Sequence, residues 1–276
     1  MNLHPIPFQD VPYSFHRIMT QNEQGDDYVV GDIHGAFDKL REHLDAIGFN
    51  PIKDRLFSVG DLVDRNAGSV EALQWLQQPF FHAVRGNHED MYLTWRKDPS
   101  YASDYFQTWN GGDWVKKVDE RIHVELERLF SKLPYILSVP LENNRWVAIV
   151  HADLPHRPVI LKNGLGEQML SRNLIFNNLV MDDAIFKEQI TWNRQRINEA
   201  KMGSPYSLNR IEGYDLIVVG HTTIDEPYVL ENFVYLDTGG WIKNRPFTIR
   251  KLSHLIQSTN QIASHSIKLE RLVSFE

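Results

Sequence analysis

Five times along this chain a short apolar run ends abruptly in acidic, amide or imidazole side chains, and that repetition limits the folds open to it. Tyr28-Val29-Val30 runs into Gly31-Asp32-Ile33-His34-Gly35, and Leu56-Phe57-Ser58-Val59 into Gly60-Asp61-Leu62-Val63-Asp64-Arg65. The stretch from Phe80 to Val84 leads to Gly86-Asn87-His88-Glu89. Two later runs, Arg145 to Val150 and Leu216 to Val219, end in His151-Ala152-Asp153 and Gly220-His221-Thr222. Short apolar runs of this kind are the pattern of buried strands in a mostly parallel sheet. In open α/β sheets the site lies at the carboxyl ends of such strands, where these polar residues fall.

Helices are expected between the strands. Phe37, Leu40, Leu44 and Ile47 recur at spacings of three and four and are stopped by Gly48 and Pro51, which predicts an amphipathic helix. A second helix is expected from about Ser69 to Gln77, ended by Pro79. Residues 28–88 then read β-α-β-α-β with short connections, which favours parallel strands and right-handed crossovers. Val115, Val118, Ile122, Leu126, Leu129 and Leu133 predict one long amphipathic helix closed by Pro134. Tyr135 to Leu141 and Arg145 to Val150 predict a hairpin turning at Glu142-Asn143-Asn144.

Residues 155–190 carry a helical pattern through Met169, Leu170, Leu174 and Leu179, and the chain closes in strand-like stretches from Tyr228 to Leu236, Phe247 to Leu252 and Ile262 to Leu272, with Asp237-Thr238-Gly239-Gly240 as a turn. Residues 1–26 form a Pro-bearing lead-in whose Phe8, Tyr13, Phe15 and Ile18 are expected to pack as an edge piece. No repeat or linker divides the chain, so one α/β domain over 1–276 is expected.

The ligand chemistry of the clusters is oxygen from Asp and Asn and nitrogen from His, a set that suits divalent transition metals. The chain has no cysteine, which argues against a closed structural zinc site and against disulfides, and fits a reducing compartment. Met1 to Asp10 lacks the basic region and apolar core of a signal peptide, and no apolar run approaches membrane-spanning length. A cytoplasmic protein away from membranes is therefore expected. The formal charge of −7 argues against a general nucleic-acid binder, which needs a basic face.

The segments GDIHG, GDLVDR, GNHE, HAD and GHT stand in that order, with WNGGDW, TWNRQR and YLDTGG between or after them. Together they resemble the metal-dependent phosphoprotein phosphatases, the calcineurin-like metallophosphoesterases, and in particular their bacterial and phage lambda-type serine/threonine branch. The resemblance implies a four-layer fold, a central β-sandwich flanked by helices. It also implies a hydrolase acting on phosphoric esters, with two divalent ions: manganese first, and iron, zinc, nickel or magnesium as alternatives.

By that resemblance one ion is held by Asp32, His34 and Asp61 and the other by Asp61, Asn87, His151 and His221, with Asp61 bridging. A hydroxide between the ions would attack phosphorus directly. His88 would protonate the leaving group with Asp64 orienting its ring, and Arg65 and Arg194, together with Asn87 and His88, would bind the phosphoryl oxygens. The implied substrates are phosphoserine and phosphothreonine of proteins, with phosphotyrosine or a small phosphoester as further candidates. Symmetrical diadenosine tetraphosphate hydrolysis is the alternative, and an inactive phosphate-binding module a third reading that the complete ligand set disfavours. The chain departs from the family pattern at Asn66, where Gly is usual, and in a longer segment between Asp153 and Trp192.

Each of these residues also has a structural explanation. An isolated Asp at a strand end is most often a turn former, Asp64 could cap a helix or pair with Arg65, and an Arg such as Arg194 usually ends in a surface ion pair. His156 follows HAD, but an exposed loop is its ordinary place. Tyr101, Tyr105, Phe106, Trp109 and Trp114 stand at spacings that suit a core, with at least one expected at a cleft rim. Asn110, Gly111 and Gly112 are expected to make a tight turn with a backbone role.

Overall fold

The structure, a computed structural model, describes residues 13–155, 157–162, 166–180, 184–203, 210–262 and 270–271. In chain order the first half holds β1 (His16–Ile18), β2 (Asp27–Val30), α1 (Phe37–Ala46), β3 (Arg55–Ser58), α2 (Ala72–Leu76), β4 (Phe81–Ala83), α3 (Asn87–Lys97), α4 (Ala102–Tyr105) and α5 (Glu120–Phe130). The second half holds β5 (Ile136–Leu141), β6 (Arg145–Ile149), β7 (Val159–Ile160), β8 (Glu167–Gln168), α6 (Arg172–Phe176), α7 (Ala184–Trp192), α8 (Gln195–Lys201), β9 (Leu216–Val219), β10 (Tyr228–Leu230), β11 (Phe233–Tyr235), β12 (Ile249–Lys251), α9 (Leu252–Ile262) and β13 (Glu270–Arg271). None of the described helices is long and apolar enough to cross a membrane.

Two sheets carry the fold. One has the order β12-β2-β3-β4, with β2, β3 and β4 parallel and β12 antiparallel at the edge. The other runs β1-β5-β6-β9-β11-β10-β13, and in it β6, β9 and β11 are parallel neighbours. Strand alternation sends one set of side chains from each sheet into the space between them. Val29, Phe57, Val59 and Val84 from the first sheet meet Leu137, Val139, Val147, Ile149, Val218 and Val234 from the second in one buried cluster.

The outer faces are covered by helices. Phe37, Leu40 and Leu44 of α1, Trp75 of α2 and Leu126 and Phe130 of α5 pack with Val30 and Leu56 of the first sheet. Leu174 of α6, Phe186 and Ile190 of α7 and Ile197 of α8 pack with Ile217 and Phe233 of the second. Helix, sheet, sheet, helix is the four-layer arrangement the resemblance implied. β1 pairs with β5 at the edge of the large sheet, and of the lead-in residues Phe15 packs against Tyr135 and Phe186, whereas Tyr13 and Ile18 are exposed, against expectation. Phe8, His156 and the stretch 263–269 lie outside the described residues.

Three local expectations are corrected. The second helix starts as a 3-10 turn, Ala67–Glu71, before one short α-helical stretch. The single long helix through Val115 and Leu129 is two pieces, a 3-10 turn over Gly112–Lys117 and then α5. Val118 is extended between them, and the Asp119 side chain accepts from the Arg121 N–H and starts α5 afresh. Met169 and Leu170 are not helical: β7 and β8 make a small antiparallel pair, and α6 begins only at Arg172. The hairpin turns at Glu142-Asn143-Asn144 as expected, with Asn143 and Asn144 in the left-handed conformation that asparagine tolerates.

Two histidines that belong to none of the polar clusters bear on stability. Burial pushes the His16 imidazole down to about 4, and burial with the Arg55 and Arg17 charges pushes His82 down to about 3. Both are neutral in the folded protein over a pH range where the unfolded chain, titrating near 6.5, takes up protons. The contribution of these two rings is therefore full above about pH 6.5 and is lost as the pH falls towards 4, each ring steepening the slope by up to about 1.4 kcal/mol per pH unit. Denaturant unfolding at a series of pH values should show a shallower slope for His82→Gln; an unchanged slope would assign the effect elsewhere.

Candidate active site

All five polar clusters meet at one end of the sandwich. The segments after β2, β3 and β4 come from one sheet and those after β6 and β9 from the other. The first two are stitched together by backbone: the Ile33 and His34 N–H groups donate to the Asp61 carbonyl at 3.0 and 2.8 Å, and Gly35 N–H to the Leu62 carbonyl at 2.8 Å. The third starts a helix, since Asn87, His88 and Glu89 form the first turn of α3. His34, Asp61, Asp64, Arg65 and His221 all have positive φ, a costly conformation for residues with side chains. Strain of this kind persists only where surrounding structure imposes it, and here it is concentrated on the predicted site residues.

Asp61 stands at the centre. Its Oδ2 is 3.6 Å from His34 Nε2 and 3.8 Å from His88 Nε2, while its Oδ1 is 3.4 Å from His151 Nε2. Asp32 Oδ2 lies 3.8 Å from His34 Nε2 on the first side. On the second, His151 Nε2 is 2.9 Å from Asn87 Oδ1 and 3.2 Å from His221 Nδ1. One carboxylate thus divides two sets of ligand atoms, and all six predicted metal residues are brought together and buried.

The donor set fits divalent cations. His34 and His151 each direct Nδ1 at a backbone carbonyl, Val63 at 2.8 Å and Val59 at 2.7 Å, so that nitrogen carries a hydrogen and Nε2, turned inward, is the atom left to serve as a ligand. His34 Nε2 is fully buried and has no hydrogen-bond partner. A bare buried acceptor is costly unless a cation meets it. Charge points the same way. Burial, then repulsion from Asp237 and Asp61, raises Asp32 well above the usual carboxylate range. Burial disfavours protonation of His151, yet Asp61 and Asp32 prevail and raise it to about 9. In both cases the neighbouring carboxylates favour added positive charge at this place.

The remaining predicted residues line the same centre. His88 Nδ1 is 2.6 Å from Asp64 Oδ2, and Arg65 Nη2 is 3.3 Å from His88 Nε2. A carboxylate only accepts, so Nδ1 carries the hydrogen and Nε2 faces Asp61 and Arg65. Asp64 therefore neither caps a helix nor pairs with Arg65. Arg194 donates to the His221 carbonyl at 3.3 Å and forms no ion pair among the described residues, so the surface-pair explanation does not hold for it. Burial lowers its pKa, and the Asp32 and Asp61 charges pull it back up.

Several contributors were missed by sequence reasoning. Glu89, fully buried, accepts from the N–H groups of Asp61, Leu62 and Gly86 at 3.0, 2.7 and 2.9 Å and ties the second cluster to the third. Burial, then the Asp61 charge, raises it to about 7. A Cβ on Gly86 would collide with Asp61, so only glycine lets these two segments close up. Asp237, read as a turn residue, is a buried carboxylate that accepts from Gly239 N–H at 2.9 Å and Thr223 Oγ1 at 2.9 Å.

Trp241 packs its ring edge-on against His34, 4.9 Å between centroids, and under the Arg65 guanidinium at 4.3 Å. Asn66, the departure from the family pattern, donates to the carbonyls of His34 at 2.8 Å and Trp241 at 3.1 Å and joins those two loops. Arg196, two residues past Arg194, is a fully buried structural partner of Asp153 at 2.9 Å. The motif glycines and the second Arg of TWNRQR were the signals available for these residues.

Comparison with known proteins bears on this geometry. The family model described as calcineurin-like phosphoesterase matches residues 28–225. The chain belongs to the calcineurin-like phosphoesterase family. Within it, the chain is 33% identical over 217 residues to serine/threonine-protein phosphatase 1 of Salmonella typhimurium, spanning 77% of this chain and 85% of that protein. It is 30% identical over 217 residues to serine/threonine-protein phosphatase 2 of Escherichia coli, 77% of this chain and 86% of the relative. A crystal structure provisionally described as a diadenosine tetraphosphatase superposes with a TM-score of 0.50 over 87% of this chain and 98% of its own, at 22% identity, a likeness of fold. As in the calcineurin-like phosphoesterases generally, divalent metal is the cofactor class, and the ligand groups here are consistent with a dinuclear site.

Proposed function

We propose that this enzyme is a metal-dependent phosphomonoesterase that removes phosphate from phosphoserine and phosphothreonine of proteins. The observation that carries the reading is Asp61, a buried carboxylate with one oxygen toward each of two nitrogen-bearing ligand sets. The serine/threonine phosphatase relatives, aligned over most of both chains, support the substrate class.

Asp32, His34 and Asp61 would hold one divalent ion and Asp61, Asn87, His151 and His221 the other. When bound, such a pair supplies an activated water and neutralises charge on the phosphoryl oxygens. Manganese is our choice of resident ion, on oxygen and imidazole ligands with no thiol. The chain's own groups do the rest. Arg65 and Arg194 present guanidinium donors to phosphoryl oxygens, and those charges persist at any working pH. Asn87 and His88 complete the phosphate pocket. His88 passes a proton from Nε2 to the leaving oxygen while Asp64 holds Nδ1. Trp241 supports the Arg65 fork, which lies over its ring face. We read 1–276 as one metallophosphoesterase domain, and place it in the cytoplasm on the absence of cysteine.

Side-by-side turnover of a phosphoserine peptide, a phosphotyrosine peptide and diadenosine tetraphosphate by the manganese-loaded enzyme tests the substrate class. The phosphoserine peptide should show the highest kcat/KM. A preference for diadenosine tetraphosphate by tenfold or more, on the order of 1.4 kcal/mol in the transition state, would replace the protein substrate with a dinucleotide.

A further inference from the structure

We infer that Tyr105 and Trp114 are positioning residues for the reaction: they clamp the far oxygen of Asp64 so that its near oxygen holds the His88 ring in the orientation that delivers the proton. The inference rests on the reading of His88 as the acid. Both act through Asp64.

The geometry is a three-donor cradle around one fully buried carboxylate. Asp64 Oδ2 faces His88 Nδ1 at 2.6 Å, and Asp64 Oδ1 accepts from the Tyr105 hydroxyl at 2.8 Å and from Trp114 Nε1 at 2.6 Å. Asp64 sits in a loop with a left-handed backbone, φ 72°. Its backbone N–H is taken by Ser69 Oγ at 2.9 Å, which secures the loop but leaves the carboxylate free to rotate. A carboxylate held through one oxygen only can turn about its C–C bond and take the imidazole with it. Two donors of fixed direction on the other oxygen remove that freedom.

The two donors are themselves rigid. Tyr105 is fully buried, and burial followed by the Asp64 charge raises its hydroxyl well above the usual tyrosine range, so it stays a donor. Trp114 stacks on Tyr92 at 6.1 Å with the planes 10° apart, and Tyr92 is anchored by His123 at 2.8 Å. The turn between the two aromatics reaches the same loop from another side. Gly111 accepts from the Arg65 N–H at 3.3 Å, and with φ 75° and a would-be Cβ 2.5 Å from that nitrogen, only glycine fits. The stretch 105–114 thus braces Asp64 and Arg65 together. A buried phenol or indole always needs some partner, so satisfied polarity alone is the competing explanation.

The test is Tyr105→Phe, Trp114→Phe and their combination, each measured on a phosphoserine peptide and on p-nitrophenyl phosphate, with metal content and Tm followed in parallel. Each single change should lower kcat on the peptide about tenfold and the pair about a hundredfold, a part of what a general acid supplies. KM and turnover of p-nitrophenyl phosphate should change by less than about threefold, because a good leaving group hardly needs the proton. In an Asp64→Ala background the same changes should add nothing, since the carboxylate they orient is gone.

A second readout does not use turnover. In zinc-loaded protein with 15N-labelled histidine, at a pH where the ring has already given up its acid proton, the remaining hydrogen of His88 should sit on Nδ1 in the wild type and be shared with Nε2 in the double variant. Equal losses on both substrates, or an unchanged ratio with the tautomer unmoved, would overturn the inference and leave the two as core residues. His88→Asn run alongside separates the premises. If its loss does not depend on the leaving group, the acid reading itself fails; if it does and the double variant is indifferent, only this inference fails. Should Trp114→Phe not fold, Tyr105→Phe, which deletes a single hydroxyl, decides alone.

Discussion

Asp61→Asn is expected to cost the protein both of its metal ions. The wild type should bind two divalent ions per chain, and the variant should bind each at least about a hundredfold more weakly, since changes to groups behind the ligands alone cost 10- to 100-fold. The reason is that Asp61 is shared: one oxygen lies 3.6 Å from His34 Nε2 and the other 3.4 Å from His151 Nε2. An amide keeps the shape but loses the charge and turns a donor toward one of the two sets. Elemental analysis at saturating manganese reads the stoichiometry directly. Thermal unfolding gives an independent readout, because an ion that binds only the folded state raises Tm. Manganese should raise the Tm of the wild type far more than that of the variant. A wild type that never exceeds one ion per chain, or a variant that keeps two, would show that the bridge is misassigned.

His88→Asn should separate the acid from the metal ligands. Every knockout here is expected to lose activity, so loss alone decides nothing. A ligand matters for all substrates alike, whereas an acid matters in proportion to how badly the leaving group needs its proton. Serine alkoxide is a very poor leaving group and p-nitrophenolate a good one. His88→Asn should therefore retain metal and lose about 100- to 10,000-fold on a phosphoserine peptide, but far less on p-nitrophenyl phosphate. Asp64→Asn should copy the pattern more mildly, while His151→Asn and His221→Asn should lose metal and both activities together.

The geometry makes this distinction necessary. His88 Nε2 lies 3.8 Å from Asp61 Oδ2, almost as near as His34 Nε2, and His34, Asp61 and His88 are close enough to one another to hold an ion. What favours the acid is the other ring nitrogen, committed to the Asp64 carboxylate rather than to a neutral carbonyl as in His34 and His151. Equal losses on the two substrates, with metals retained and chemistry rate-limiting, would leave His88 as a positioning residue.

The clusters were legible because each is local: a strand, its last apolar residue and the polar residues that follow are neighbours in the chain. Asp32 with His34, Asp61 with Asp64 and Arg65, and Asn87 with His88 could be read from adjacency, and the five strand ends in order carried the family. The long helix through Val115 was misread because its apolar period runs on through Val118, while the backbone there is extended and the Asp119 side chain starts a new helix.

The chain alone thus determined which residues could hold metal and at which strand ends they sit, because that information lies in segments of a few residues each. The tertiary structure decided what those residues do to one another. It turned one oxygen of Asp61 toward each ligand set, closed Glu89 over the N–H groups of two loops, and brought Tyr105 and Trp114 onto Asp64 from 41 and 50 positions away. Hydrogen-bond direction and the balance of buried charge depend on distances of 3 to 4 Å across sheets and layers, and no spacing along a sequence encodes them.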